Sequence, residues 1–256
     1  VTGKGQIVRP GQPVTGATMR AAVEGSLKRL QTDYIDLYQL HWPERKENLF
    51  GQRNYVHDEN EPWKENFKDV IGILDGFVKE GKIRHYGVSN ETAYGVMKQL
   101  AVSEQNGLTR CKTIQNSYSL LNRTFEINLA EVSHREKVGL LAYSPLGFGV
   151  LTGKYLNHNK PEGSRLQLFP QYGRYSNPQA MAQTEEYKKL ADQLSLSLTH
   201  LSLAFVNQRP FVTSNIIGAT KLEQLKENIA SIEISLSEDT LKSIDRIQQI
   251  CPNPAP

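Results

Sequence analysis

Strand-like and helix-like segments alternate along nearly the whole chain, and this alternation limits the possible folds more than any single motif does. From Thr18, the residues Met19, Ala22, Val23, Ser26, Leu27 and Leu30 keep the i, i+3, i+4, i+7 spacing of a helix with one buried face. Residues 34–42 then read as a strand, aromatic and branched up to a stop at Pro43, and their mixed pattern predicts burial on both sides. Phe67, Val70, Ile71, Leu74, Phe77 and Val78 return to helical spacing, closed by Gly81. The unit then repeats. Strands are predicted at 83–89, 113–116, 138–143 and 215–218, and helices at 92–103, 125–136, 185–194 and 199–208. Thr220 and Glu223 form a T-x-x-E capping box for a further helix, and a final one contains Leu241, Ile244 and Ile247 before the proline-rich tail 252–256. Strands separated by helices imply parallel pairing with right-handed crossovers.

The count of units sharpens this. An opening helix followed by five strand and helix pairs falls three short of the eight that close a barrel, although 256 residues suit a domain of about that size. Either the sheet is shorter and open, or the first three strands of a barrel lie outside this sequence. The start, Val1-Thr2-Gly3-Lys4-Gly5, has neither an initiator Met nor a signal-peptide pattern and reads as if cut. Two long polar segments, 44–65 and 147–184, interrupt the alternation. The aromatics of the first, Phe50, Tyr55 and Trp63, serve equally well to wall a substrate pocket or to pack the loop.

Composition excludes several classes. With 38% hydrophobic and 22% charged residues the chain reads as an ordinary soluble domain, and no apolar run reaches the 18 residues that a membrane span needs. Its 30 basic and 27 acidic residues are interleaved, so no nucleic-acid partner is indicated. Cys111 and Cys251 stand far apart without zinc-site spacing, as expected in a reducing compartment, with the cytoplasm as default.

In parallel α/β folds the chemistry gathers at the carboxyl ends of strands. Those positions here are His41-Trp42, Ser89-Asn90, Gln115-Asn116, Tyr143-Ser144 and Gly218-Ala219-Thr220. They offer neutral donors and acceptors with a single imidazole, and neither carboxylate nor lysine. A metal site would need grouped ligands and a Schiff-base enzyme a strand-end lysine, so no metal is expected. Amides and hydroxyls beside an aromatic face suit a flat, amide-bearing heterocycle such as nicotinamide.

The motifs themselves carry a resemblance. Leu27-Lys28-Arg29-Leu30-Gln31-Thr32-Asp33-Tyr34 leads to Leu40-His41-Trp42-Pro43. Gly81-Lys82-Ile83-Arg84 is followed by Gly87-Val88-Ser89-Asn90, then Thr113-Ile114-Gln115-Asn116. Ala142-Tyr143-Ser144-Pro145-Leu146, Leu151-Thr152-Gly153-Lys154-Tyr155, and Gly218-Ala219-Thr220 with Gln224 and Asn228 complete the series. In this order the chain resembles, essentially end to end, the aldo-keto reductases, and within them the bacterial Tas-like branch. The resemblance implies a (β/α)8 barrel, here with its first three β/α units missing, so that residues 1–256 form one N-terminally incomplete domain. It also implies an NADP(H)-dependent oxidoreductase that passes hydride from nicotinamide to a small aldehyde or ketone.

By the same resemblance Tyr143 stacks on the nicotinamide, while Ser89, Asn90 and Gln115 hold its carboxamide. Ser144, Leu146, Lys154 and Arg165 match positions beside the pyrophosphate. Gly218, Thr220 and Lys221 match the turn receiving the adenosine 2′-phosphate, and Gln224 and Asn228 would flank the adenine. His41 matches the catalytic histidine that orients the carbonyl. The family's Asp, Tyr and Lys come from strands before residue 1, so neither Tyr38 nor Tyr118 is assigned as the acid.

Plainer readings stand beside these. His41 can be a satisfied strand histidine, Tyr143 core packing, Ser89 the cap of the next helix, and Lys154 and Lys221 solvated charges. A second functional class is a non-catalytic nucleotide-binding subunit similar to the potassium-channel beta subunits, which resemble this chain but carry Asn at the position of His41. A phosphate-handling barrel isomerase or aldolase lacks its base or lysine. Oligomeric state and the identity of the carbonyl substrate leave no mark in the sequence. Without the acid and the groups that tune it, the polypeptide alone is expected to reduce carbonyls several orders of magnitude more slowly than a complete family member. Robust NADPH-dependent turnover by the purified chain would refute that expectation.

Overall fold

The structure, a computed structural model, describes residues 14–256. The opening Val1-Thr2-Gly3-Lys4-Gly5 lies outside them. The described residues form two compact units, one of residues 14–46 with Asp58–Lys112 and one of Glu47–His57 with Thr113–Pro256.

In the first unit α1 (Gly16–Leu30) starts where the Thr15 hydroxyl accepts from the Thr18 N–H and Thr18 returns a bond to the Thr15 N–H. Strand β1 (Ile35–Leu40) pairs in parallel with β2 (Ile83–Ser89), Ile35 beside Ile83 and Leu40 beside Val88. Between them α2 (Phe67–Lys79) buries Phe67, Ile71, Leu74 and Phe77, as α1 buries Val23 and β2 buries Ile83, Tyr86 and Val88. It stops because Gly81, at φ 72°, lets the Lys82 N–H reach back to the Phe77 carbonyl. Helix α3 (Ala93–Asn106) is capped by Thr92, whose hydroxyl accepts from the Gly95 N–H. Ser89 is thus not the cap of that helix.

The predicted two-sided burial of the first strand is not found. Most of β1 is half-buried and Asp36 is exposed, because among the described residues of its unit β2 is its one strand partner.

In the second unit β3 (Thr113–Gln115), β4 (Gly139–Ala142) and β5 (Val212–Asn215) pair in parallel in that order. Helix α4 (Leu129–Glu136) leads into β4, and a single turn, α5 (Arg165–Leu168), lies within the long segment that follows. Then come α6 (Pro178–Gln193), α7 (Leu198–Asn207), α8 (Leu222–Ala230) and α9 (Glu238–Ile250). Tyr118 anchors the core: its ring stacks on Phe205 at 5.9 Å, meets the edge of Phe211 at 5.3 Å, and its buried hydroxyl donates to Glu126. Arg123 holds the same carboxylate at 2.7 Å and 2.8 Å and reaches Asp245 of α9 at 2.7 Å, tying that helix to the turn.

Four boundaries differ from the sequence reading. The helix expected over 125–136 is a 3₁₀ turn at Thr124–Glu126 followed by α4, because the Arg123–Glu126–Tyr118 bonds fix the turn and Asn128 takes φ 79°. The helix expected from 185 begins at Pro178, since Asn177 accepts from the Ala180 N–H and proline suits the first helical position. The last strand lies at Val212–Asn215 rather than 215–218. Finally, α8 starts at Leu222, and Thr220 makes no capping box: its N–H and hydroxyl both go to the Gln224 amide oxygen, at 3.0 Å and 3.2 Å. Five strands are present among the described residues, the number expected, and they do not close a barrel of eight.

A Cβ on Gly139 of β4 would stand 1.9 Å from the Thr213 hydroxyl, so the threonine occupies the space that the glycine leaves open. Gly139→Ala is expected to cost about 1–3 kcal/mol as overpacking. Gly72→Ala in α2, where a Cβ meets nothing within 4 Å, is expected to stabilise by about 0.5–1 kcal/mol. Urea denaturation midpoints of the two variants against the parent check both signs.

Candidate active site

In the first unit the register of β1 on β2 sets the two strand ends side by side. Since Leu40 pairs with Val88, the next residues, His41 and Ser89, leave the ladder together. Asn90 follows in the left-handed region, φ 54°, and its side-chain N–H₂ donates to the His41 carbonyl at 2.9 Å and to the Ser89 hydroxyl at 3.2 Å. Asparagine is among the few side-chain residues that tolerate this backbone, and here its amide locks the two ends. Ser89 is buried, whereas His41 reaches the surface with its ring 4.2 Å from Trp42 and tilted by 31°. Packing around the imidazole still removes enough water to hold its pKa below the ordinary 6.5. His41, Ser89 and Asn90 are therefore brought together.

In the second unit Tyr143 follows β4. Its N–H donates to the Asn116 carbonyl at 3.1 Å and its carbonyl accepts from the Tyr118 N–H at 3.2 Å. The ring is half-buried on a backbone fixed from both sides. Ser144 turns the chain at φ 55°, and its carbonyl accepts from the Gly147 N–H at 2.9 Å. The Leu146 carbonyl takes the N–H groups of Gly149 and Leu151, which winds 147–152 into a tight 3₁₀ coil. Gln115 ends β3, half-buried, one residue before Asn116.

Beyond that coil, Lys154 lies across Gly149, where a Cβ would stand 2.9 Å from its ammonium, and passes 5.2 Å from the Tyr155 ring. The Arg165 guanidinium stacks 4.1 Å over Phe148 and 5.5 Å from Tyr172. Phe148 was not foreseen from the sequence; its flanking glycines, both with positive φ, were the available signal. Past β5, the Ile216 N–H bonds to the Ala142 carbonyl at 2.8 Å, bringing the following Gly218 turn toward the Tyr143 end. Asn228 is buried and donates to the Gly218 carbonyl at 3.3 Å. Thr220, Lys221 and Gln224 lie on the same stretch, with Thr220 and Lys221 exposed.

A match to the family described as "Aldo/keto reductase family" extends over residues 2–249. The chain belongs to that family. It is 49% identical to Protein tas of Escherichia coli over 249 residues, which is 97% of this chain and 72% of that protein. It is also 40% identical to an aldo-keto reductase of Babesia bovis, over 81% of this chain and 77% of that one. A more distant relative, at 28% identity over 86% of this chain and 61% of its own, is the NADH-specific methylglyoxal reductase of E. coli. The family makes the chain an oxidoreductase of the kind that uses nicotinamide cofactors. The strand-end residues of this aldo/keto reductase chain are chiefly neutral hydrogen-bonding groups, and among the described residues no three of His, Cys, Asp or Glu are grouped to hold a metal ion. No helix among the described residues is long and apolar enough to cross a membrane.

The lowered pKa of His41 has a checkable sign. An unfolded imidazole takes its proton near 6.5 and the folded one only further down, so native stability should fall as pH drops through that window. Proton NMR of the histidine ring signals is expected to show one midpoint below 6.5 that disappears in His41→Gln. A midpoint at or above 6.5 for that signal would refute the assignment.

Proposed function

We propose that the chain binds NADP(H) in preference to NAD(H) and serves the reduction of small aldehydes or ketones to alcohols. The observation that carries this reading is Tyr143, a half-buried ring whose backbone is pinned at both its N–H and its carbonyl, followed by the tight turn that Ser144 opens. A fixed aromatic plane gives a flat heterocycle apolar contact without a salt bridge. The donor set fits the dinucleotide: amides and hydroxyls for a carboxamide, two cations for phosphates, and a helix start for a further anion.

The residue roles follow from the family resemblance and the chemistry of each group. Tyr143 presents its face to the nicotinamide, and the amides and hydroxyl of Gln115, Asn90 and Ser89 take its carboxamide, which fixes the ring face turned toward substrate. The guanidinium of Arg165, stacked on Phe148, keeps its in-plane N–H donors for phosphate oxygens, with Lys154 as a point charge. Ser144 and Leu146 line the same pyrophosphate stretch. At the start of α8, Thr220 and Lys221 receive the 2′-phosphate beside Gly218. Because the Thr220 N–H is held by Gln224, binding there requires Gln224 to turn away, which suits its role beside Asn228 at the adenine. The bound reduced dinucleotide supplies the hydride. His41, neutral at pH 7, donates a hydrogen bond that orients and polarises the carbonyl without introducing a cation.

The 2′-phosphate is the discriminating element, since the methylglyoxal reductase relative is NADH-specific by name. Fluorescence titration of the chain with NADPH and NADH is expected to give saturable quenching of Trp42 and Trp63, tighter for NADPH. Tyr143→Ala is expected to weaken binding at least about tenfold through lost ring contact. Absence of both quenching and a thermal shift with either nucleotide would overturn the proposal.

A further inference from the structure

Four residues after His41 and one after Asn90 stands an ion pair that the roles above leave unused. Arg45 and Glu91 stand 46 positions apart; Glu91 is buried and Arg45 half-buried, with side chains 4% and 11% exposed, and the guanidinium grips the carboxylate through both of its terminal nitrogens. Each partner is further constrained. Arg45 lies against the Phe67 ring at 5.9 Å and the Tyr94 ring at 5.4 Å, and donates to the Thr92 hydroxyl at 3.0 Å. Glu91 accepts the Thr92 N–H at 2.7 Å and packs on Gly95, where a Cβ would stand 2.2 Å from its carboxyl carbon.

Taking two charges out of water is expensive, and an apolar pair of similar volume commonly serves stability as well or better. What an apolar pair lacks is direction. A forked guanidinium on a carboxylate fixes distance and angle at once. This pair joins the chain leaving His41 to the chain leaving Asn90, the same two turns that the Asn90 amide joins through the His41 carbonyl. Two crosslinks between the same turns hold their relative rotation as well as their separation; one alone leaves a hinge.

We propose that Arg45 and Glu91 are a positioning pair that sets the His41 turn against the Ser89–Asn90 turn. Their bearing on carbonyl reduction rests on the functional reading above, whereas the brace itself is testable without nucleotide.

The test replaces direction while keeping volume, in the full chain. In the double variant Arg45→Met with Glu91→Leu, the melting temperature is expected to stay within about 3 °C of the parent, roughly one kcal/mol at this size. The NMR contact between the Asn90 side-chain amide and His41 is expected to be lost, and the His41 ring signals to move. Arg45→Lys, which keeps the charge but not the fork, is expected to retain part of that contact. A pair serving stability alone predicts the opposite pattern, with the contact intact in a folded double variant, and that result overturns the proposal. If the double variant does not fold, Arg45→Lys decides: an unchanged Asn90–His41 contact rejects the brace and a weakened one supports it. NADPH titration of the parent chain is read separately, so failure of the nucleotide reading shows as absent binding with the NMR outcome still decisive.

Discussion

Parallel strand pairing is the constraint from which the arrangement follows. Parallel neighbours run in one direction and so present their carboxyl ends to the same edge, each followed by a loop free to carry function. In the first unit this puts His41 beside Ser89, and in the second it puts Asn116, Tyr143 and the 216–218 turn in succession. The ladder hydrogen bonds, rather than the side chains, decide which residues become neighbours at those ends. Side chains then lock what the ladder brings together, as Asn90 does through the His41 carbonyl.

Compact hydrogen-bonded networks tie polar groups near these ends in each unit. In the second, Glu126 is shared by Tyr118 and Arg123, and Arg123 also reaches Asp245, so one arginine secures both a turn and a terminal helix. The tail belongs to the same network. Asn253 accepts the Arg123 N–H at 2.6 Å, Arg53 donates to the Pro254 carbonyl at 2.9 Å, and Arg174 donates to Pro256 at 2.6 Å and to Ser117 at 3.1 Å. The stiff proline-rich segment that the sequence suggests is therefore docked within its unit. In the first unit Arg45 and Glu91 perform the comparable task beside the strand ends.

Membership of the aldo/keto reductase family accords with the character of these ends. A hydride-transfer site built on a bound dinucleotide needs its protein mainly for orientation, and neutral donors on rigid strand ends provide orientation without the reorganisation that a mobile charge would demand. The exception is the stretch after Tyr143, where Lys154 and Arg165 are both laid against aromatic rings. Such stacking restricts long cationic side chains before any anion arrives, lowering the entropy lost on binding.

By itself the sequence determined the alternation of strands and helices, the helix faces turned to the core, the glycine stop at Gly81, and the inventory of groups at the strand ends. Each of these is written in neighbouring residues, as periodicity or as a short capping motif. Tertiary structure decided what depends on partners distant in the chain. Strand β5 falls at Val212–Asn215 because it pairs with Leu140–Ala142 of β4. The helix expected over 125–136 breaks because Tyr118 and Arg123 both need Glu126. Thr220 forgoes its capping box for the side chain of Gln224. Arg45 and Glu91 carry no periodic signal, since an ion pair across 46 residues exists only once folding has brought the two turns together.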